Sequence, residues 1–255
     1  MSKAVTFLFA TVLLGSGSFA APSMTVVGQD YEPFYFKSGT SGVQGACYEI
    51  IQRLCQMEQV HCKFKVAPLR KFLSMLRDGK ADIGCPISAS PQRETVFFMT
   101  PVFSTRYSFF GPENYVKKIK GYPDLKGMKV GVFSPSMTEV SLQKIHEFSD
   151  KGFAIQPETT VFVSLRKLQN KAYPLAYLNR DVAVTWIQRT RSQLLEVPDL
   201  GEAVSYYMAF SKKRFDQTQF SRLEGHLLEM RKNRFMDGIA EKYKVHLFEG
   251  TALNP

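Results

Sequence analysis

Residues 62–85 read Cys-Lys-Phe-Lys-Val-Ala-Pro-Leu-Arg-Lys-Phe-Leu-Ser-Met-Leu-Arg-Asp-Gly-Lys-Ala-Asp-Ile-Gly-Cys. Alternation at Cys62, Phe64 and Val66 predicts a strand, because side chains two apart share one face of a sheet. Pro68 then opens a helix whose apolar stripe runs through Phe72, Leu73 and Leu76, and Asp78-Gly79 supplies its stop. A second strand follows at Asp82–Cys85. One helix between two strands is the unit from which parallel sheets are built, so this stretch sets the class as α/β.

The same grammar extends in both directions. Upstream, Met24–Val27 reads as a strand, the turn-rich stretch after it holds Tyr31, Pro33 and Phe34, and Gly45 opens a helix to about Met57. Downstream, an aromatic run Tyr107–Phe110 precedes a strand at Val130–Phe133, and Ser134-Pro135-Ser136 leads a helix from about Met137. Strands are expected at Val161–Val163 and Val182–Thr185, with helices at Leu165–Gln169 and Ile187–Leu195. Tyr206–Ser211 reads as a last strand, followed by helices near 216–232 and 235–243. Two α/β units in one chain imply two lobes with a cleft between them. Ligands in open α/β sheets sit beyond the carboxyl ends of strands, so residues just after Val27, Cys85, Phe133 and Thr185 are expected to line that cleft.

Composition narrows the class. The 255 residues carry 33 Lys+Arg against 23 Asp+Glu, for a formal charge of +10, and are 44% hydrophobic. That profile excludes disorder and a small disulfide scaffold, and the length suffices for two lobes with real cores. Residues 1–20 combine Lys3, an apolar run Ala4–Leu14 and the small residues of Ser18-Phe19-Ala20, the layout of a secretory signal peptide. An exported chain makes disulfides permissible. Cys55 and Cys62 stand where one would clamp a helix end to the next strand, worth about 2–3 kcal/mol on the chain-entropy model. Cys47 and Cys85 are either a second bridge or two small buried hydrophobes. The four histidines are scattered and Cys-x6-Cys is not a zinc spacing, so neither a metal nor a cofactor is expected. No nucleophile elbow, phosphate loop or dinucleotide fingerprint occurs, which points away from an enzyme. The basic segments Lys63–Lys80 and Lys212–Arg234 lack an aromatic-basic strand motif, so nucleic acid is not the expected partner. They form either a solvated face or a field that draws anions towards the cleft.

Several motifs resemble the family 3 periplasmic solute-binding proteins, the receptors of polar amino-acid ABC importers. They are Gly79-Lys80-Ala81-Asp82-Ile83-Gly84, Ser88-Ala89-Ser90-Pro91-Gln92-Arg93 and Phe98-Met99-Thr100-Pro101-Val102-Phe103. Tyr31-Glu32-Pro33-Phe34 is similar to the family's first aromatic loop, Leu125–Val132 to the opening of its second lobe, and Asp237–Tyr243 to its C-terminal helix. Cys55 and Cys62 also resemble the disulfide of the lysine/histidine-type binders. The resemblance implies two Rossmann-like lobes joined by a two-strand hinge, the type II periplasmic binding fold. Lobe 1 would comprise 22–109 and 208–255, and lobe 2 would comprise 110–207, after a signal peptide at 1–20.

The resemblance also implies a site. Arg93 matches the arginine that clamps a ligand carboxylate, and Ser88 the hydroxyl that helps hold it. Ser136 and Thr138 match the helix N-terminus facing that carboxylate from the other lobe. Tyr31 and Leu69 match the positions that sandwich the ligand, with Phe34 and Arg70 beside them. Amino-acid binders carry an Asp five residues after the Asp of the strand near 181, where it grips the α-ammonium; here that count ends on Trp186. Trp186 would either stack on a flat ligand or belong to the core. The expectation is a monomeric, non-catalytic periplasmic receptor. It would capture a small carboxylate-bearing solute by hinge closure and hand it to an ABC permease or a membrane sensor. An orphan sensory or interaction protein and a dehydratase-like enzyme on the same fold are the alternatives.

Overall fold

The computed structural model describes residues 22–40 and 42–250; the expected signal peptide lies outside them. The chain begins with strand β1 (Ser23–Gly28) and a short hairpin, β2 (Phe36–Ser38) and β3 (Gly42–Gln44). Helix α1 (Ala46–Met57), strand β4 (His61–Val66), helix α2 (Leu69–Arg77) and strand β5 (Ile83–Ser88) complete the first α/β unit. The short helix α3 (Pro91–Glu94) leads into the long strand β6 (Phe97–Pro112) and a single turn, α4 (Glu113–Val116). The second unit comprises β7 (Lys129–Phe133), α5 (Met137–Phe148), β8 (Ala154–Glu158), α6 (Val161–Gln169), β9 (Leu175–Asn179) and α7 (Arg180–Thr190). A second long strand, β10 (Leu194–Ser211), returns to the first half, where α8 (Gln217–Lys232), α9 (Phe235–Tyr243) and β11 (His246–Leu247) close the described chain.

The sheet order is β4-β1-β5-β10-β6-β9-β7-β8, with β11 paired to β6. Strands β4, β1 and β5 are parallel, as are β9, β7 and β8. Between the two sets β10 and β6 run antiparallel along nearly their whole lengths, β10 pairing β5 and β6 pairing β9. Two α/β units are thus joined by two strands that belong to both. This is the expected fold class.

The opening stretch folds as its pattern dictates. Phe72, Met75 and Leu76 bury one face of α2 against Val27, Ile87 and Phe97. Phe72 and Leu76 are each fully buried, contributing about 1.5–3 kcal/mol apiece. The packing is close enough to need Gly84: a Cβ there would stand 2.4 Å from the Phe72 ring. Gly79, at φ +71°, ends the helix in the left-handed region that glycine occupies without strain.

Three expected elements differ. Val161–Val163 and Val182–Thr185, read as strands, are the first turns of α6 and α7. In each, a cap outweighs the β-branched run: Thr160 Oγ1 accepts from Val163 N at 3.1 Å, and Asn179 Oδ1 from Val182 N at 3.1 Å. The strands lie just upstream, at β8 and β9. The helix expected to Leu195 stops at Thr190, and Leu194 already belongs to β10.

Candidate functional site

Three of the four expected strand ends open onto one small cavity. From the end of β1 come Gln29 and Tyr31, from β5 Pro86, Ile87 and Ser88, and from the β7–α5 junction Phe133, Ser136 and Thr138. Arg93, Leu69, Tyr107 and Tyr206 complete the wall. The cavity measures about 30 Å³, space for one small polar group.

Its polar side chains form several hydrogen-bonded groups. Ser90 caps α3 by accepting from Arg93 N at 3.3 Å, which fixes the arginine at the cavity edge. Arg93 Nη1 donates to the Ser88 carbonyl at 2.6 Å. Ser88 Oγ lies 3.0 Å from the Tyr107 hydroxyl, and the Tyr31 and Tyr206 hydroxyls are 3.1 Å apart. Thr138, buried in the first turn of α5, lines the cavity together with the Tyr107 phenol. Ser136 caps that helix, accepting from Glu139 N at 3.2 Å and donating to the Phe133 carbonyl at 2.6 Å.

Burial pushes the Tyr31, Tyr107 and Tyr206 phenols above their ordinary value, so they remain neutral donors at physiological pH. Burial pulls the Arg93 guanidinium down, against Tyr107 and Tyr206, and among the described residues it has no acidic partner. An arginine stays protonated even so. The cavity therefore holds one half-buried cation, hydroxyls of serine, threonine and tyrosine, and no carboxylate. Such a set of donors is chemically suited to an anion.

Outside Tyr31, Leu69 and Phe133 the cleft widens into a vestibule of about 560 Å³, where Arg70 stands at the rim. Phe34 and Trp186 line neither space. Phe34 is fully buried behind the wall, with ring centroids 5.1 Å from Phe103 and 5.3 Å from Tyr206. Trp186 is buried on α7 because its segment is helix and not strand, so a count made along a strand from Asp181 misplaces it. The strand that reaches the site from this region ends at Asn179, opposite Tyr107. Its amide is committed: Nδ2 donates to Thr105 Oγ1 at 2.9 Å while Oδ1 caps α7. Tyr107 and Tyr206 were missed from the sequence. The aromatic run at 107–110 marked the place, but which ring turns to the cavity depends on the register between β6 and β9.

Both cysteine pairs are bridged, with Cα–Cα separations of 5.8 Å for Cys47–Cys85 and 6.2 Å for Cys55–Cys62. The first ties the start of α1 to the strand that delivers Pro86, Ile87 and Ser88. An open groove of about 1160 Å³ between α1 and α9 is larger than either cleft space. It lies away from the strand ends, and Lys242 and Glu49 already pair within it at 2.6 Å. Among the described residues no acidic or histidine cluster could hold a metal, and no helix is long and apolar enough to cross a membrane.

The sequence profile of the bacterial extracellular solute-binding proteins, family 3, matches residues 24–246. The chain belongs to that family. Solved structures similar to this solute-binding protein include an ancestral arginine-binding protein bound to arginine, 20% identical over 87% of this chain and 97% of the other, with a TM-score of 0.77. A histidine kinase sensor domain is 21% identical over 89% and 98%, also at 0.77. The ancestral amino-acid-binding protein AncCDT-1, a precursor of cyclohexadienyl dehydratase, is 18% identical over 87% and 95%, at 0.76. These likenesses show the fold. No curated protein matches the chain.

Proposed function

We propose that this protein is a periplasmic receptor that closes two lobes around a small carboxylate-bearing solute and delivers it to an ABC importer. The observation that carries this reading is Arg93: a half-buried guanidinium at the strand ends, held by one carbonyl and opposed by no carboxylate. A cation withdrawn from water without a counter-ion is stabilised by an anion that enters with it. Ser88, Tyr107, Thr138 and the capped N-terminus of α5 supply further donors around the same point.

The solute needs no α-ammonium group. Amino-acid binders of this family grip that group with a carboxylate, whereas the strand end here carries the neutral, committed Asn179 and the inner cavity has no acidic residue. The same lack of an acid/base carboxylate favours capture over dehydration. Lobe 1 would comprise 22–109 and 208–255, and lobe 2 would comprise 110–207. The hinge would cross near Ser108–Gly111 on β6 and Val204–Tyr207 on β10, the two strands that both α/β units share.

The test is a thermal-shift panel of carboxylates, amino acids and amines on refolded mature protein, with Arg93→Ala alongside. A ligand at a hundred times its Kd adds about 2.7 kcal/mol, or several degrees of Tm for a protein of this size. A carboxylate hit that disappears in Arg93→Ala is expected. A well-folded protein that no carboxylate shifts, or one shifted equally in both forms, overturns the reading.

A further inference from the structure

The inner cavity and the vestibule differ in size and lining, and together they describe a ligand with more than one part. At about 30 Å³ the inner cavity takes a carboxylate and little else. The vestibule beyond it, about 560 Å³, falls in the range of spaces that enclose whole small molecules. Its walls are chiefly apolar, with Leu69, Phe133, Val161 and Phe162 among them. Three cations stand around it: Lys37 on the β2–β3 hairpin, Arg70 on α2 and Arg166 on α6. Asp30 is the one acidic side chain in the lining, and it accepts the Lys37 backbone N–H at 3.3 Å. Among the described residues none of the three cations takes part in an ion pair.

Arg70 and Arg166 come from opposite α/β units. Bringing them to one rim sets like charges against each other, which opposes closure unless an anion sits between them. The geometry points to an elongated dianion as the ligand. One carboxylate would enter the Arg93 cavity, an apolar midsection would cross the vestibule, and a second anionic group would lie between Arg70 and Arg166. This rests on the solute-capture reading and narrows it. The outer anion takes the part that a protein carboxylate would play in a rim closed by its own ion pair, so closure is coupled to the second charge of the ligand.

The probes are α,ω-dicarboxylates from succinate to sebacate, the monocarboxylates of equal chain length, and the ω-amino acids that replace the outer anion by a cation. Binding is measured by calorimetry on wild type, Arg93→Ala, and the Arg70→Ala and Arg166→Ala single and double variants. One dicarboxylate of intermediate length is expected to bind tighter than its monocarboxylate partner, and the ω-amino acid weakest. Each outer variant should lose roughly fivefold in dicarboxylate affinity, the upper range for an exposed ion pair. Both should cost the dicarboxylate more affinity than its monocarboxylate partner, and the dicarboxylate advantage should shrink as salt is raised. A dicarboxylate that binds through Arg93 no tighter than its monocarboxylate partner, or whose affinity is unmoved by Arg70→Ala and Arg166→Ala, overturns the inference and leaves solute capture standing. A wild-type protein that binds none of the probes overturns both.

Discussion

Arg93, half-buried, and Asp181, buried, act in opposite ways. Arg93 has donors to spare and faces hydroxyl-lined space; its fork can give two parallel bonds to a carboxylate. Arg93→Ala should therefore cost about 2–4 kcal/mol of binding, the range for a buried charged anchor. Arg93→Lys should also lose at least roughly tenfold, because an ammonium keeps the charge and not the fork. Equal affinity in the lysine variant would mean that the site reads charge alone. Asp181 is the counter-example: 6% exposed, with an Oδ2 that accepts no hydrogen bond among the described residues. Burial raises its carboxyl above the ordinary value, and Thr105 and Arg180 offset that only in part. A raised acid favours folding in its protonated form. Its stabilising contribution is full below the unfolded value of about 3.9 and is lost as pH rises through the folded one. Asp181→Asn should then raise stability at pH 7, with the gain vanishing as pH falls towards the unfolded value. Denaturant melts at the two pH values test this; a loss at pH 7 would show that the carboxylate is used.

The two bridges separate at the scale of elements. Cys55–Cys62 closes a loop of sequence separation 7 and Cys47–Cys85 one of 38. On the chain-entropy model the first contributes about 2.5 kcal/mol and the second about 4. Urea melts of the two double Cys→Ala variants should rank in that order. The Cys47–Cys85 variant alone should also weaken carboxylate binding, since β5 carries Ser88. If both variants bind alike, the bridge has no part in holding the site. The elements also show what can be read from a chain. Where pattern and punctuation agree, the expectation held to within a residue or two: Gly45 before α1, Asp78-Gly79 after α2, Ser136 before α5. Where β-branched residues follow a capping side chain, as at Thr160 and Asn179, the cap wins and the reading fails. Strand β8 escaped notice because it is an edge strand containing Pro157, with a weak alternation. Residues after β1, β5 and β7 were legible as cavity wall because strand ends are local features. The Tyr107 and Tyr206 rings were not, because their orientation depends on cross-strand register with distant segments, Tyr107 opposite Asn179 and Tyr206 opposite Ser88.

At the scale of the whole molecule, the proposed closure has a contact of its own outside the ligand. Arg189, in the last turn of α7, pairs with Glu32, which follows Tyr31 in the loop after β1. The pair therefore spans the two α/β units beside the cleft, and the side chains are 55% and 18% exposed. An ion pair this open is worth about 0.2–1 kcal/mol and is screened by salt. It cannot hold the lobes shut unaided, which a receptor requires if it is to release its cargo. It can lengthen the life of the closed, loaded form, because any contact present only in that form lowers the rate of leaving it. Glu32→Gln should weaken carboxylate binding by up to roughly fivefold at low ionic strength. The change should fall on the dissociation rate, and none should remain at about 1 M salt, where the screening length is near 3 Å. Stopped-flow dissociation at the two salt concentrations reads this directly. A dissociation rate unchanged at low salt would show that the pair forms no part of closure, whatever holds the ligand inside.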